Sequence, residues 1–230
     1  MIRDAFLFAL GLEIVLPTGC VVRPCQCKCV VGQCPQTAQA ASAERPLAPF
    51  APKALLVWDG EGTGAQAKGW ASCQQGSSCT TSVDVKPGAG HNGSNGLEFK
   101  AKGPEWMGFG WNWFGWYPPT AGTDISKHKS LDFWIKISGA PGKKPESYSV
   151  AVSLQGSSKG GKDETETLKI GDYAKGFDDG EWHKVVLPLD PMLHGKGESF
   201  DTSRAWSITI GAWNQGEREY TIQVDEIEFS

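Results

Sequence analysis

An all-β domain is the fold class this sequence predicts, and three observations predict it. Glycine and proline are abundant, 29 and 14 of 230 residues, which marks many turns and short elements. Ten tryptophans and ten phenylalanines accompany them, a composition that suits sheets better than a helical bundle. Short runs of alternating apolar and polar residues recur between turn clusters, the pattern of an antiparallel sandwich or barrel. No amphipathic helix of ordinary length interrupts them.

The chain opens with residues 1–20, MIRDAFLFALGLEIVLPTGC. Arg3 supplies a minimal basic start, and residues 5–16 form an apolar run too short to span a bilayer stably. Asp4 and Glu13 are poor choices for such a segment. Its end, Leu16-Pro17-Thr18-Gly19-Cys20, partly matches a bacterial lipoprotein cleavage box, with Pro17 where that pattern prefers Leu. The alternatives are a signal cleaved elsewhere by an ordinary peptidase, or a misassigned start. The expectation is an exported protein of the bacterial cell envelope, lipidated at Cys20, or otherwise a secreted one.

Seven cysteines follow the same logic. With Cys20 set aside for lipid, six remain: Cys25, Cys27, Cys29 and Cys34 in a tail, Cys73 and Cys79 further on. Each region can therefore pair internally, as exported proteins do. Cys-x-Cys-x-Cys in the tail lacks the gaps of a structural zinc site, so disulfides are the expected use. Cys73 and Cys79 bracket a five-residue loop and read as one disulfide. Residues 35–53, rich in Ala and Pro, read as an extended linker. Residues 1–20, 21–53 and 54–230 are thus export segment, tail with linker, and folded domain.

Inside the domain, Leu131, Phe133, Ile135 and Ile137 share one face of a predicted strand. Tyr148, Val150, Val152 and Leu154 share another, as do Trp206, Ile208 and Ile210, then Ile222 and Val224. After Asp225 the parity slips, because Ile227 and Phe229 also need the interior; a β-bulge would reconcile both halves.

Several chemistries fall away. The net charge is −4 with no basic stripe, which argues against nucleic acid as a partner. GSSKGGKD, residues 156–163, lacks the Ser or Thr that a phosphate-binding loop needs after its Lys, and ETETLKI after it continues as a strand; it reads as a hairpin loop. Glu226 and Glu228 oppose Asp225 on their strand and read as a solvated face rather than a hydrolytic pair. His91, His128, His183 and His194 show no metal spacing.

The most informative stretch is GFGWNWFGWY, residues 108–117. Met107, Phe109, Trp111 and Trp113 fall on one face, with the first three filling the core. Gly108, Gly110, Asn112 and Phe114 fall on the other, a glycine-floored surface that lets a ligand or a large neighbour approach the backbone. Trp116 and Tyr117 lie past the strand, before two prolines. Trp213 falls opposite Trp206, Ile208 and Ile210, and Gln155 points outward by the same rule. Exposed indole beside amide groups is the chemistry of sugar recognition, although Trp213 as a lid over a loop fits equally.

The order of VWDGEGTG, GLEFKAK, WMGFGWNWF, DISKHKSLDFWIKI, GEWHKVVLPLD, SRAWSITIGAW and YTIQVDEIEF resembles the carbohydrate-binding modules of the galactose-binding-like β-sandwich superfamily. The resemblance covers residues 56–229 and implies a two-sheet jelly roll of roughly ten strands with a concave glycan-binding sheet. It places residues 108–114, 148–155, 165–170 and 206–213 on that sheet. Asn112, Trp113, Trp116, Tyr117, Gln155 and Trp213 are then the candidate carbohydrate-binding residues, and Trp134 belongs to the opposite sheet. The resemblance also implies a structural calcium held by Asp59, Glu61 and Asp225.

The function expected is non-catalytic binding of a polysaccharide or oligosaccharide at the cell surface, with the membrane reached only through a lipid anchor. The alternatives are an envelope protein–protein interaction module and a jelly-roll lyase or hydrolase.

Overall fold

Alternation makes the strands. Leu131, Phe133, Ile135 and Ile137 are all fully buried on one side of their ribbon, as are Val150, Val152 and Leu154 on another. The computed structural model describes residues 53–116, 122–139, 149–156, 163–194 and 200–230. The export segment, Cys20, the tail, the linker and Tyr117 lie outside the described residues.

Nine strands are described: β1 Leu55–Trp58, β2 Lys68–Cys73, β3 Thr80–Lys86, β4 Gly96–Asn112, β5 Ser130–Gly139, β6 Ser149–Gly156, β7 Leu168–Lys169, β8 His183–Pro188 and β9 Ala205–Phe229. One short helix, α1 Leu189–His194, follows β8. The strand expected over residues 165–170 is reduced to the two residues of β7, plus a bridge between Gln155 and Glu164. Gly156 donates its N–H to the Asp163 carbonyl at 2.7 Å, which joins the two ends of GSSKGGKD; its residues 157–162 lie outside the described residues.

β4 and β9 run antiparallel from Leu97↔Val224 to Asn112↔Ser207. Midway the register slips, from Gly103↔Arg218 to Glu105↔Asn214, with positive φ at Gly103 (148°), Glu105 (62°) and Gly216 (83°). Each strand therefore gives one half to each of two sheets. The back sheet runs β3, first half of β4, second half of β9, β5, β8, with β1 beside the end of β9. The front sheet runs β2, second half of β4, first half of β9, β6, β7.

The two sheets close on one apolar layer. Phe99 and Phe109 belong to the same strand, and a straight strand would separate them by roughly 33 Å; their ring centroids lie 4.9 Å apart. Trp58 meets Trp111 edge-on at 5.7 Å, and Trp113 meets Phe229 at 6.2 Å. Burying each of these rings contributes about 1.5–3 kcal/mol.

The bulge expected after Asp225 is present. Between Asp132↔Glu228 and Trp134↔Asp225 the β9 strand carries one extra residue, and Glu226 takes φ 49°. Asp225 is thereby turned fully inward. Its Oδ2 accepts from the His91 amide at 2.9 Å and the Ser94 hydroxyl at 2.6 Å, and its Oδ1 accepts from the Glu226 amide at 2.8 Å. These bonds pin residues 90–95 to the back sheet, where the His91 ring stacks on Trp134 at 3.6 Å. Burial pushes the Asp225 carboxyl above its ordinary value, and the donors from Ser94, Glu226 and His91 only partly offset it. Its protonated form is thus favoured by folding, and that contribution is lost as pH rises through the folded pKa.

Cys73 and Cys79 are disulfide-bonded across the turn between β2 and β3, with Cα atoms 6.5 Å apart. Replacing both by Ser is expected to lower unfolding free energy by about 2 kcal/mol, the loop-closure value for so short a ring, measured by urea titration under oxidising conditions. Asp225→Ala is expected to lower it by about 2–3 kcal/mol, since three donors lose their acceptor; the same titration checks this.

Candidate functional site

Trp106, Gly108, Gly110 and Asn112 share the outward face of β4 and define four rungs across the front sheet. The first is Trp106, Trp213 and Ser149. The second is Ser72, Gly108, Gly211, Ala151 and Lys169. The third is Trp70, Gly110, Thr209 and Ser153, and the fourth is Lys68, Asn112, Ser207 and Gln155. With about 7 Å between rungs, the face is about 20 Å long along the strands.

Three indoles populate it. Trp213 is 55% exposed, while Trp70 and Trp106 are half-buried. The glycines explain why: the ring of Trp70 lies against Gly110, and the ring of Trp106 lies against Gly108 and Gly211. The glycine floor anticipated from parity is therefore covered, but by the protein's own tryptophans. Small residues, Ser149, Ala151 and Ser153, line β6 beside them. At the far end stand half-exposed Gln155 and exposed Lys68. Glu164 joins them, accepting from the Ser153 hydroxyl at 2.6 Å. Lys169 is exposed at the other edge.

The candidate residues divide accordingly. Trp213 and Gln155 are on the face, but Trp213 lies six positions along β9 from Ser207, the partner of Gln155; they occupy opposite ends of it. Trp116 is 57% exposed beyond the end of β4, with Phe114 beside it in sequence at 38%. Two residues are corrections. Asn112 is 3% exposed and accepts the Ser207 hydroxyl at 2.6 Å. Its amide oxygen is spent inside the sheet. Trp113 is 3% exposed, packs on Phe229 and donates its Nε1–H to Thr123 Oγ1 at 3.0 Å. It is a core side chain, as strand parity with Trp111 requires.

Sequence reasoning missed Trp70 and Trp106. Trp106 was within reach, since it shares parity with Gly108 across the Gly-rich run. Trp70 was harder, because the inward residues of its strand, Gly69, Ala71 and Cys73, look unlike a core face. Gly69 is small because Trp111 of β4 lies over it: a methyl there would sit 2.5 Å from the Trp111 Cε3, while Cys73 is held in the disulfide.

The three acids taken as calcium ligands lie elsewhere. Asp59 Oδ1 caps a turn, accepting from the amides of Glu61, Gly62 and Thr63 at 2.8, 2.9 and 3.0 Å. Burial works against its ionised form, yet the amides of Gly62, Glu61 and Thr63 outweigh it and hold the carboxyl below its ordinary value. Glu61 takes the Asn95 amide at 2.5 Å and its side-chain Nδ2 at 3.2 Å. Asp225 is committed to its three donors. Among the described residues no group of three or more His, Cys, Asp or Glu converges on a metal position. N–H and O–H donors stand where a cation would, so these acids do not fit calcium as placed.

Solved structures share this architecture. The family 30 carbohydrate-binding module of the cellulosomal cellulase Cel9D-Cel44B of Clostridium thermocellum is similar with a TM-score of 0.55 at 16% identity, covering 77% of this chain and 97% of that one. Another family 30 carbohydrate-binding module is similar with a TM-score of 0.54 at 18% identity, over 77% and 98% of the two chains. No curated protein matches the chain. The family model for carbohydrate binding domain 30 matches residues 57–230, and the chain belongs to that family.

Proposed function

We propose that the front sheet is the binding face, and that it holds a polysaccharide chain by stacking without altering it. The observation that carries this reading is the set of three indoles, Trp70, Trp106 and Trp213, gathered on one outward face. Pyranose rings present apolar C–H faces to indole, and their hydroxyls exchange hydrogen bonds with amide and charged groups. Gln155, Lys68 and Glu164 supply such groups at the far end of the face. Trp116 extends the aromatic surface beyond it.

The domain works at the cell surface, tethered by lipid on Cys20 and the linker of residues 35–53. The Cys73–Cys79 bond supports an oxidising compartment. Tethering raises the local concentration of the domain beside the envelope and multiplies modest single-site affinity.

Affinity electrophoresis of the chain in gels containing soluble β-linked polysaccharides tests the reading. Retardation by at least one polymer is expected, with Trp213→Ala and Trp106→Ala each weakening it about tenfold. Unchanged retardation in both variants would remove the front sheet from consideration. Asn112→Ala separates interior from face: it is expected to lower stability by about 1 kcal/mol through the lost Ser207 bond, with retardation unchanged.

A further inference from the structure

We infer that Gly110 and Gly211 are positioning residues of the binding face, each kept free of a side chain so that one indole can lie against the sheet. This rests on the reading of the front sheet as the polysaccharide face.

Neither residue has a positive φ, so the backbone does not require glycine at either place. Glycine in a strand interior also weakens the strand. Something else must hold these positions empty, and the nearest atoms identify it. A methyl built on Gly110 would find its three closest neighbours all in one side chain: Nε1, Cε2 and Cζ2 of Trp70, the last at 2.7 Å. On Gly211 the three closest are again one ring: Nε1, Cε2 and Cζ2 of Trp106, the last two at 2.9 and 3.2 Å. No backbone atom is among them. Gly108 differs, because a methyl there would also meet the Ile210 carbonyl at 2.8 Å and the Gly211 Cα at 2.9 Å. At Gly108 the sheet itself is in the way, whereas at Gly110 and Gly211 the three nearest atoms all belong to the ring above.

Register explains how two glycines serve two tryptophans. Trp70 on β2 lies directly across from Gly110 on β4. Trp106 on β4 lies across from Trp213, two residues from Gly211 on β9, so its ring leans diagonally over that glycine. Both indoles are half-buried as a result. Their height above the backbone, and with it the depth of the groove a sugar ring meets, is set by hydrogen atoms where other residues carry a methyl. An alanine there must lift or tilt the ring. A ring edge held by two side-chain torsions yields more readily than a hydrogen-bonded strand, so the platform changes and the fold persists.

The test uses the full chain carrying Gly110→Ala or Gly211→Ala. Urea midpoints equal to or above wild type are expected, together with retardation by the binding polysaccharide about tenfold weaker. Acrylamide quenching of tryptophan fluorescence is expected to rise as the displaced ring becomes exposed. In a Trp106→Ala background, Gly211→Ala is expected to cause no further loss of retardation and no rise in quenching, because the ring it displaces is gone. The same null result is expected for Gly110→Ala in a Trp70→Ala background.

Wild-type retardation and quenching in the glycine variants would overturn the inference. So would a loss that persists undiminished in the tryptophan-less backgrounds, which would mark the glycines as strand requirements. If the wild-type chain binds none of the polysaccharides, the reading of the face fails. The seating of the rings is still decided by the quenching comparison, which needs no ligand.

Discussion

The hydrogen-bonded pairing of β4 with β9 is the constraint on which both faces of the domain depend. The two strands stay in register from Leu97↔Val224 to Asn112↔Ser207, apart from one slip at Gly103 and Glu105. That slip turns both strands together, so a single ribbon supplies the centre of two sheets. The stacking of Phe99 on Phe109 follows directly, since only a folded ribbon brings them within 4.9 Å. Across the slip β4 advances two residues and β9 four, both even, so the inward parity of Leu97, Phe99 and Ala101 carries on unbroken. Beyond it, Met107, Phe109 and Trp111 face inward, while Trp106, Gly108 and Gly110 face out.

The two sheets use polar groups in opposite ways. The back sheet buries carboxylates and satisfies them internally. Asp225 serves residues 90–95, and Asp132 accepts from the Ser130 and Ser230 hydroxyls at 2.7 and 3.1 Å. Lys184 approaches Asp132 at 3.9 Å and binds Glu228 at 2.9 Å, and the hydrogen bond to Glu228 holds its ammonium above the ordinary lysine value. Such groups are costly to bury and rigid once paired. Their donors and acceptors are consumed in fixing the loops and the chain end. Among the described residues the outward side chains of the front sheet are small residues, indoles and, toward its ends, polar groups such as Gln155, Lys68 and Lys169. A rigid back and an accessible front suit a domain whose work is done on one side.

Much of this was legible in the sequence because it depends on parity alone. The inward stripes of β5, β6 and β9, the bulge after Asp225, the Cys73–Cys79 pair and the outward turn of Trp213 all follow from counting by two or from spacing. What parity cannot report is the reach of a side chain across strands. Asn112 is on the outward face, as its position requires, yet Ser207 from β9 captures it. Trp70 is invisible until Trp111 is known to cover Gly69 beside it. The acids Glu61 and Asp225 sit where the family resemblance placed them in the chain, but Glu61 is taken by Asn95, and Asp225 by His91 and Ser94, all distant in sequence from the acid they bind. In each case the deciding atom belongs to another strand or loop.

The contrast between Trp213 and its neighbours gives the front face its physical character. Association costs the freedom of every side chain it orders, and a ring already held against the sheet has little left to lose. Trp70 and Trp106 are in that state, seated on Gly110 and Gly211 with part of their surface already removed from water. They offer less apolar area to a ligand but offer it preorganised. Trp213, more than half exposed, offers more area and gives up more freedom when covered. A face built from both kinds gains fixed geometry from the seated rings and additional contact from the free one. The balance is set by two positions where the chain carries no side chain.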